Sequence, residues 1–190
     1  MKKMKIISAV LSLMIIFTAC GKSNDTRDNM YSKIHELYYD IQSYSANCKV
    51  TAFTKGGENT YECKVNYDNK NNSYTITSDD MKIHLKSDKT IITKGQNTIE
   101  SPTAGGDMYI FVNTFFKSYY ESEDTAVVAN AKDKSDTFML ECSAVNPTDY
   151  VSSMKLWIDT NTVLPQKMQV LGNDENVTCE VIFTKFEFIK

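Results

Sequence analysis

Cysteine and histidine are the residues in this sequence with the most scope for nucleophilic or metal chemistry. The chain holds five cysteines and two histidines, His35 and His84. Neither histidine lies in a metal-binding spacing such as H-E-x-x-H, and no C-x-x-C occurs. A zinc site would therefore need ligands gathered from distant parts of the chain. We interpret both histidines as surface or structural residues.

Other motifs of catalysis and phosphate binding are also missing. The sequence has no G-x-S-x-G, no S-x-x-K with its partner motifs and no G-x-x-x-x-G-K-[ST] loop. Gly105 and Gly106 precede a predicted helix and could form an anion-binding turn, although two such glycines are more often a simple connector. Acid clusters at Asp79-Asp80 and at residues 121–124 fall on predicted turns, where acids are usually solvated. We therefore expect no enzymatic activity, no metal and no cofactor.

The first 19 residues have the three parts of a secretory signal peptide. Residues 1–5 carry three lysines and no acid, residues 6–17 form an apolar run broken only by serines, and small residues follow. This order of charge, apolar core and small residues is typical of a cleaved leader. The apolar run is too short to span a membrane, which needs about 20 residues.

The end of this leader identifies a residue for covalent modification. Phe17-Thr18-Ala19-Cys20-Gly21 resembles the bacterial lipobox, in which a diacylglycerol thioether forms on the cysteine before cleavage makes it the first residue. Two or three acyl chains on one residue hold a domain at a membrane where a single chain would not. We therefore expect Cys20 to be lipidated and the protein to be extracytoplasmic and membrane-anchored. An ordinary signal peptide with a cysteine near its cleavage site is the alternative.

Charge argues against nucleic acid as a partner. Three of the 21 basic residues lie in the leader and all 24 acids follow it, so cleavage lowers the formal charge from −3 to −6. An acidic surface repels nucleic acid and anionic lipid headgroups. Arg27 is the single arginine, so the bidentate contacts that arginine makes to phosphate or guanine are almost unavailable.

The remaining chain divides into a short linker and one domain. Residues 21–28 have no apolar side chain, so we predict a lipidated cysteine and flexible tether over residues 20–29. Residues 30–190 are enough for one compact domain. In that domain, Tyr31, Ile34, Leu37, Tyr38, Ile41 and Tyr44 recur at helical spacing. This pattern predicts an amphipathic first helix from Met30, with Asp28 or Asn29 as its cap.

Alternation with a period of two follows the first helix. It predicts five short strands separated by compact turns, at residues 48–53, 60–67, 73–77, 81–85 and 90–94. After the loop at residues 101–106, residues 107–122 predict a second helix. Its broad apolar face comprises Met108, Phe111, Val112, Phe115, Phe116 and Tyr119. Five more strands are predicted at residues 125–131, 137–144, 153–159, 164–172 and 177–188.

These elements predict an α+β fold. A single curved antiparallel sheet of about ten strands, a half-barrel with two helices over its concave face, would bury every apolar stripe. The four remaining cysteines, Cys48, Cys63, Cys142 and Cys179, fall on the mainly apolar face of their strands. We favour buried thiols there, although an exported protein permits disulfides and four cysteines allow three pairings.

A family resemblance appears in the last third of the chain. Residues 154–188 hold an aromatic strand ending in Ile158-Asp159, a turn with Thr162, then Leu164-Pro165-x-Lys167 and a final alternating strand. This order is similar to the LolA/LolB lipoprotein-carrier superfamily, and the first helix running into SYSANCKVTAF extends the similarity over most of the chain. The resemblance implies a half-closed barrel with helices as a lid over an apolar cavity.

Within that superfamily, size, lipobox and composition are most similar to the lipoproteins of clostridial spore germination. This similarity implies a non-enzymatic homodimer, with strand exchange as one route to the dimer. It also implies that the protein binds and activates a zinc-dependent N-acetylmuramoyl-L-alanine amidase, which enables muramic-δ-lactam formation in spore cortex peptidoglycan. The similarity does not indicate which residues bind the partner.

Two hypotheses remain open at this point. The helix aromatics either fill the concave face of the sheet, which makes the domain a protein-interaction module, or leave it open to bind a lipid or other apolar ligand. We prefer the first hypothesis because aromatic stripes fill cores more often than they line ligand cavities.

Overall fold

The computed structural model describes residues 23–86, 88–102, 109–122, 125–129 and 136–189. The chain divides into two compact units, Met1–His35 and Glu36–Lys190. The second unit contains every strand described and the second helix.

The first helix, α1, begins earlier than the sequence pattern indicates. It runs over Ser23–Tyr38, so the predicted start at Met30, with a cap at Asp28 or Asn29, is wrong. Residues 23–29 of the segment predicted as a tether are helical. They contain no proline or glycine, the two residues that most disfavour helix.

The buried stripe of α1 is narrower than predicted. Met30, Ile34 and Tyr38 are buried at successive intervals of four residues, whereas Tyr31 and Leu37 are 41% and 37% exposed. Tyr44, predicted as part of the helical stripe, instead opens the first strand.

Six strands follow α1 as a meander. They are β1 (Tyr44–Thr54), β2 (Gly57–Asp68), β3 (Ser73–Thr77), β4 (Met81–Leu85), β5 (Lys89–Lys94) and β6 (Asn97–Pro102). Each pairs antiparallel with the next. Gly57 and Gly95, at φ of 115° and 58°, make turns that require the left-handed region, which glycine adopts without strain.

Strand β6 is the one described strand that the sequence pattern did not predict. Its six residues are all exposed, and Ile99 is its single aliphatic side chain. A strand without a buried face shows no alternation of apolar and polar residues, so periodicity cannot detect it. Ser101 and Pro102, predicted as loop, are its last two residues.

The second half of the chain repeats the arrangement of helix followed by meander. Helix α2 covers Val112–Glu121, and the strands after it are β7 (Thr125–Ala129), β8 (Thr137–Thr148), β9 (Val151–Asp159), β10 (Pro165–Leu171) and β11 (Val177–Phe188). Phe111 caps α2. Residues 109–111 form a turn and a bend, so the helix start predicted at residue 107 is too early. Asp107 and Met108, and residues 130–131 of the strand predicted at residues 125–131, lie outside the described residues.

All eleven strands form one antiparallel sheet. Their order is β6-β5-β4-β3-β2-β1-β11-β10-β9-β8-β7, so the two meanders meet where the first and last strands pair at the centre. The predicted α+β fold, one antiparallel sheet with two helices, is confirmed, with β6 as the additional strand.

The two faces of the sheet differ in polarity. One face carries a row of fully buried side chains from four neighbouring strands: Leu140, Leu156, Met168 and Val181. The opposite face carries a row of charged and amide side chains from the same strands: Glu141, Lys155, Gln169 and Glu180. Helix α2 packs against β8 and buries its own aromatic stripe, so a single apolar layer forms the core.

Candidate functional site

Helix α2 supplies the aromatic side chains that the sequence placed over the sheet. Phe111, Val112, Phe115, Phe116 and Tyr119 are each at most 4% exposed, which confirms the predicted stripe except at Met108, outside the described residues. Phe115 and Phe116 contact each other edge to face, with ring centroids 5.3 Å apart. The stripe therefore lies inside the apolar layer of the described residues and not on its surface.

Asn113 joins the start of α2 to two strands of the sheet. Its Oδ1 accepts a hydrogen bond from Tyr44 Oη at 3.1 Å, and its Nδ2 donates to Tyr74 Oη at 2.9 Å. Tyr44 Oη also accepts from the backbone N–H of Val112 at 2.9 Å. Burial raises the pKa of Tyr44 well above its ordinary value, so this hydroxyl stays protonated and available to donate.

Tyr38, at the end of α1, lies against α2. Its ring stacks on Phe116 with centroids 4.3 Å apart and planes 13° apart. Its hydroxyl donates to the carbonyl of Val163 at 2.7 Å, a residue held at a φ of 59°. Because both the ring and the hydroxyl of Tyr38 are fixed, the end of α1 is anchored to the hairpin that contains Val163.

A concave surface lies beside this junction. It has a volume of about 730 Å³, within the range of small-ligand sites. Six aromatic residues line it: Tyr38, Tyr39, Tyr67, Tyr74, Phe116 and Tyr120. Together with the amide and charged side chains described next, they form what we name the tyrosine cleft.

The polar lining of the tyrosine cleft comes from amides and charges. Three amide side chains, Asn69, Asn72 and Asn113, line the cleft. Three charged side chains, Asp40, Lys117 and Glu121, also line it. Asn69 accepts a hydrogen bond from Tyr67 Oη at 3.0 Å, and Asn113 is fixed by Tyr44 and Tyr74 as described above. The residues of this site are scattered over four elements, so no local pattern in the sequence predicts it. The abundance of tyrosine, 11 residues, was the only signal.

The strand-turn-strand segment quoted for the family resemblance forms a hairpin, as predicted. Asp159 Oδ1 accepts hydrogen bonds from the backbone N–H groups of Asn161 and Thr162 and from Thr162 Oγ1. These bonds lower the pKa of Asp159, the Thr162 backbone N–H contributing most. Pro165 begins β10 opposite Ile158, and a register shift follows it, as expected for a residue that cannot donate to the ladder.

The cysteines of the domain are free thiols. Cys48, Cys63 and Cys142 are buried and Cys179 is half-buried, in agreement with the interpretation of the sequence. Burial raises the pKa of Cys142 to about 12 and that of Cys179 to about 11. Reactive cysteines have a lowered pKa, so these thiols are poor nucleophiles.

Strand register limits which of these cysteines could form a disulfide. Cys48 and Cys63 lie directly opposite each other on β1 and β2. Cys142 and Cys179 are on strands separated by two others, a distance of roughly 14 Å at the usual strand spacing. Disulfides need Cα atoms within about 7 Å, so none of the three complete pairings fits this sheet.

The histidines have structural or surface positions. His84 Nδ1 lies 2.9 Å from Thr75 Oγ1 across the β3–β4 pair, and its pKa is lowered mainly by burial. His35 is exposed on α1. Among the residues whose positions are described, no group of three or more histidine, cysteine or acidic residues is placed to hold a metal.

Several predicted features cannot be located in the structure. Cys20, the leader at residues 1–19 and the Gly105-Gly106 turn lie outside the described residues, and so does part of the acid cluster at residues 121–124. In the part of the chain that is described, no helix is both long and apolar enough to cross a membrane.

The sheet ends in an exposed strand at β6. This strand pairs with β5 on one side and is the last in the order of strands. Among the described strands it has no neighbour on its outer side, and an edge strand of this kind can pair with another chain. Ile99 at its centre is 65% exposed.

The whole chain matches the model of a known family. A family model described as "Sporulation protein YdcC-like" matches residues 1–190. The search among curated proteins found no significant match.

Solved structures with a similar chain are distant in sequence. A chain in the structure of the CwlD amidase from Clostridioides difficile in complex with the GerS lipoprotein is 22% identical, with a TM-score of 0.49. That alignment covers 85% of this chain and 95% of the other. The LolA superfamily protein NE2245 from Nitrosomonas europaea is 11% identical, with a TM-score of 0.43, over 86% of this chain and 93% of the other.

Proposed function

The chain belongs to the family of YdcC-like sporulation proteins, and from this premise we propose that it is a non-enzymatic lipoprotein that binds a partner enzyme during sporulation. Its anchor is a diacylglyceryl group on Cys20, which places the domain outside the cytoplasm at a membrane. Lipobox, charge and length of the leader support the anchor.

The proposed partner is a cortex N-acetylmuramoyl-L-alanine amidase, which the protein binds and activates so that muramic-δ-lactam can form and the spore can germinate. The similarity of size, lipobox, composition and C-terminal tail to the lipoproteins of clostridial spore germination supports this partner. In the structure from Clostridioides difficile, the GerS lipoprotein is in complex with the CwlD amidase, so we name the same class of enzyme here.

The observation that carries the choice of a protein partner is the filled apolar face of the sheet. Phe111, Phe115 and Phe116 are at most 1% exposed, and Tyr38 closes over Phe116. A lipid carrier needs an apolar cavity large enough for acyl chains. Since these side chains occupy the space between α2 and the sheet, we favour the interaction module over the carrier.

Strand β6 is the surface that we propose for the amidase. Its outer backbone edge can accept a strand of the partner, which would add main-chain hydrogen bonds to the sheet. The exposed Ile99 would add apolar contact at the centre of this edge.

Capture of the amidase by the full-length, lipidated chain tests this proposal. Ile99→Asp should weaken binding at least about tenfold, since a charge at the centre of an interface is strongly unfavourable. Tyr150→Asp is the matched control, because Tyr150 is 69% exposed and Ile99 65%. Failure of the unsubstituted chain to bind the amidase, or a stoichiometric lipid held non-covalently, in addition to the anchor, in native mass spectrometry, would contradict the proposal.

We also propose that the protein forms a homodimer. Light scattering of the full-length chain in detergent would show twice the protein mass if it forms. A monomer at all concentrations would remove this component without affecting amidase binding.

A further inference from the structure

The tyrosine cleft is a second surface with the character of a binding site. It is formed within the unit Glu36–Lys190 by the segment after α1, the β2–β3 hairpin and α2. It does not include β6, the surface assigned above to the protein partner.

The aromatic rings of the cleft divide into a floor and accessible walls. Tyr38, Tyr67 and Phe116 are buried and form the floor. Tyr39 is 67% exposed, and Tyr74 and Tyr120 are half-buried, so these three rings can contact a ligand. Tyr39 meets Tyr120 at 74° with centroids 5.3 Å apart. The walls therefore offer ring faces in more than one direction.

The positions of these rings are fixed before any ligand arrives. Tyr120 stacks on Phe116 with planes 27° apart, and Tyr74 packs edge to face on Phe111 with centroids 4.7 Å apart. Tyr74 Oη also accepts the hydrogen bond from Asn113. A preformed site binds with less loss of conformational entropy.

The polar side chains narrow the chemistry of the ligand. Asp40 and Glu121 outnumber Lys117 in the lining, which disfavours phosphate and other anions. Three amides and two carboxylates belong to the lining, which disfavours an acyl chain because these polar groups would lose their hydration. A neutral molecule that has apolar faces and many hydroxyl or amide groups fits both the aromatic and the polar lining.

We propose that the tyrosine cleft binds a neutral oligosaccharide. The C–H face of a pyranose ring packs on an aromatic face through apolar and weak C–H contacts. The hydroxyl groups at the edge of the same ring bond to carboxylates and to side-chain amides, which both donate and accept. Asp40, Glu121 and Asn72 line the same cleft as these rings and supply such groups.

Titration followed by two-dimensional NMR of the full-length chain tests this inference, in a detergent without a sugar headgroup. Triacetylchitotriose and maltotriose are the two probes, an acetamido sugar and a plain hexose. The choice of the acetamido probe rests on the proposed function. We expect saturable shifts of backbone signals at Tyr39, Asn72 and Tyr120 with triacetylchitotriose, and weaker binding of maltotriose.

Substitution of single tyrosines then distinguishes sugar binding in the tyrosine cleft from non-specific contact. Tyr39→Ala should weaken binding about fivefold to tenfold, the scale of one aromatic contact. Tyr150→Ala, at a tyrosine of equal exposure in the β8–β9 turn, should leave the affinity unchanged. No saturable shifts with either sugar, or equal weakening by both substitutions, would overturn the inference. Amidase capture is measured without sugar, so its outcome is independent.

Discussion

At the scale of single residues, Asn113 is the polar connection on which the position of α2 depends. Asn113→Ala removes the acceptor of Tyr44 and the donor to Tyr74. Because Tyr44 is fully buried, its hydroxyl would lose its acceptor without gaining water. We expect the free energy of unfolding to fall by about 1–3 kcal/mol, the cost of an unsatisfied buried group.

Urea denaturation measures this change. Thr98→Ala is a suitable control, because Thr98 is on the exposed strand β6 and surface changes are usually within about 0.5 kcal/mol. If Asn113→Ala falls within the same range as the control, the two tyrosine bonds do not hold α2.

The buried thiols predict how stability depends on pH. The pKa values of Cys142 and Cys179 are raised by burial to about 12 and about 11, above the ordinary value of 9.0. The folded protein therefore keeps these protons when the unfolded chain has lost them. Stability from this source is complete below pH 9 and falls as the pH rises from 9 through 11.

Urea denaturation at a series of pH values from 7 to 11 checks this expectation. A variant with both Cys142→Ala and Cys179→Ala should lose less stability above pH 9 than the unsubstituted protein. The double variant should still lose some stability as the pH rises, because burial also raises the pKa of buried tyrosines such as Tyr38. An identical slope in the double variant would show that the thiols ionise as easily folded as unfolded.

Residue types were more predictable than residue partners. The alternation of apolar and polar residues correctly predicted the face of the sheet on which each of the four domain cysteines lies, because successive side chains of a strand point to opposite faces. The Asn113 bonds and the tyrosine cleft join side chains from separate elements, and no local pattern in one sequence encodes that proximity.

Among the secondary-structure elements, helix α2 contributes its buried aromatic stripe to the core. Phe115 is 0% exposed and contacts Phe116 and Tyr119. Phe115→Ala should lower the free energy of unfolding by about 3–5 kcal/mol, because a large cavity is left in a packed layer. Lys117, exposed on the same helix, provides the control Lys117→Ala. A loss below 1 kcal/mol at Phe115 would contradict the filled-face interpretation.

Elements with a buried face were predictable, and those without one were not. The strands of both meanders other than β6, and the stripe of α2, follow from periodicity. Strand β6 has no buried side. Tyr44 fits a helical spacing, but strand pairing places it in β1. The start of α1 was misjudged because polar residues at 23–29 were interpreted as a tether, although none of them prevents a helix.

At the scale of the whole molecule, Cys20 should decide where the protein is located. Cys20→Ala removes the acceptor of the diacylglyceryl group, so the protein should leave the membrane fraction while its domain still folds. Fractionation followed by immunoblotting measures the first result, and circular dichroism of the purified variant measures the second. Retention in the membrane fraction would show that another feature holds the protein there.

The proposed activation of an amidase by this domain is measured as the rate at which the purified amidase releases peptide from peptidoglycan. Adding the full-length lipoprotein should increase that rate, Tyr150→Asp should increase it equally, and Ile99→Asp should leave it near the rate of the amidase alone. An amidase that works at the same rate with and without the unsubstituted lipoprotein would contradict the claim.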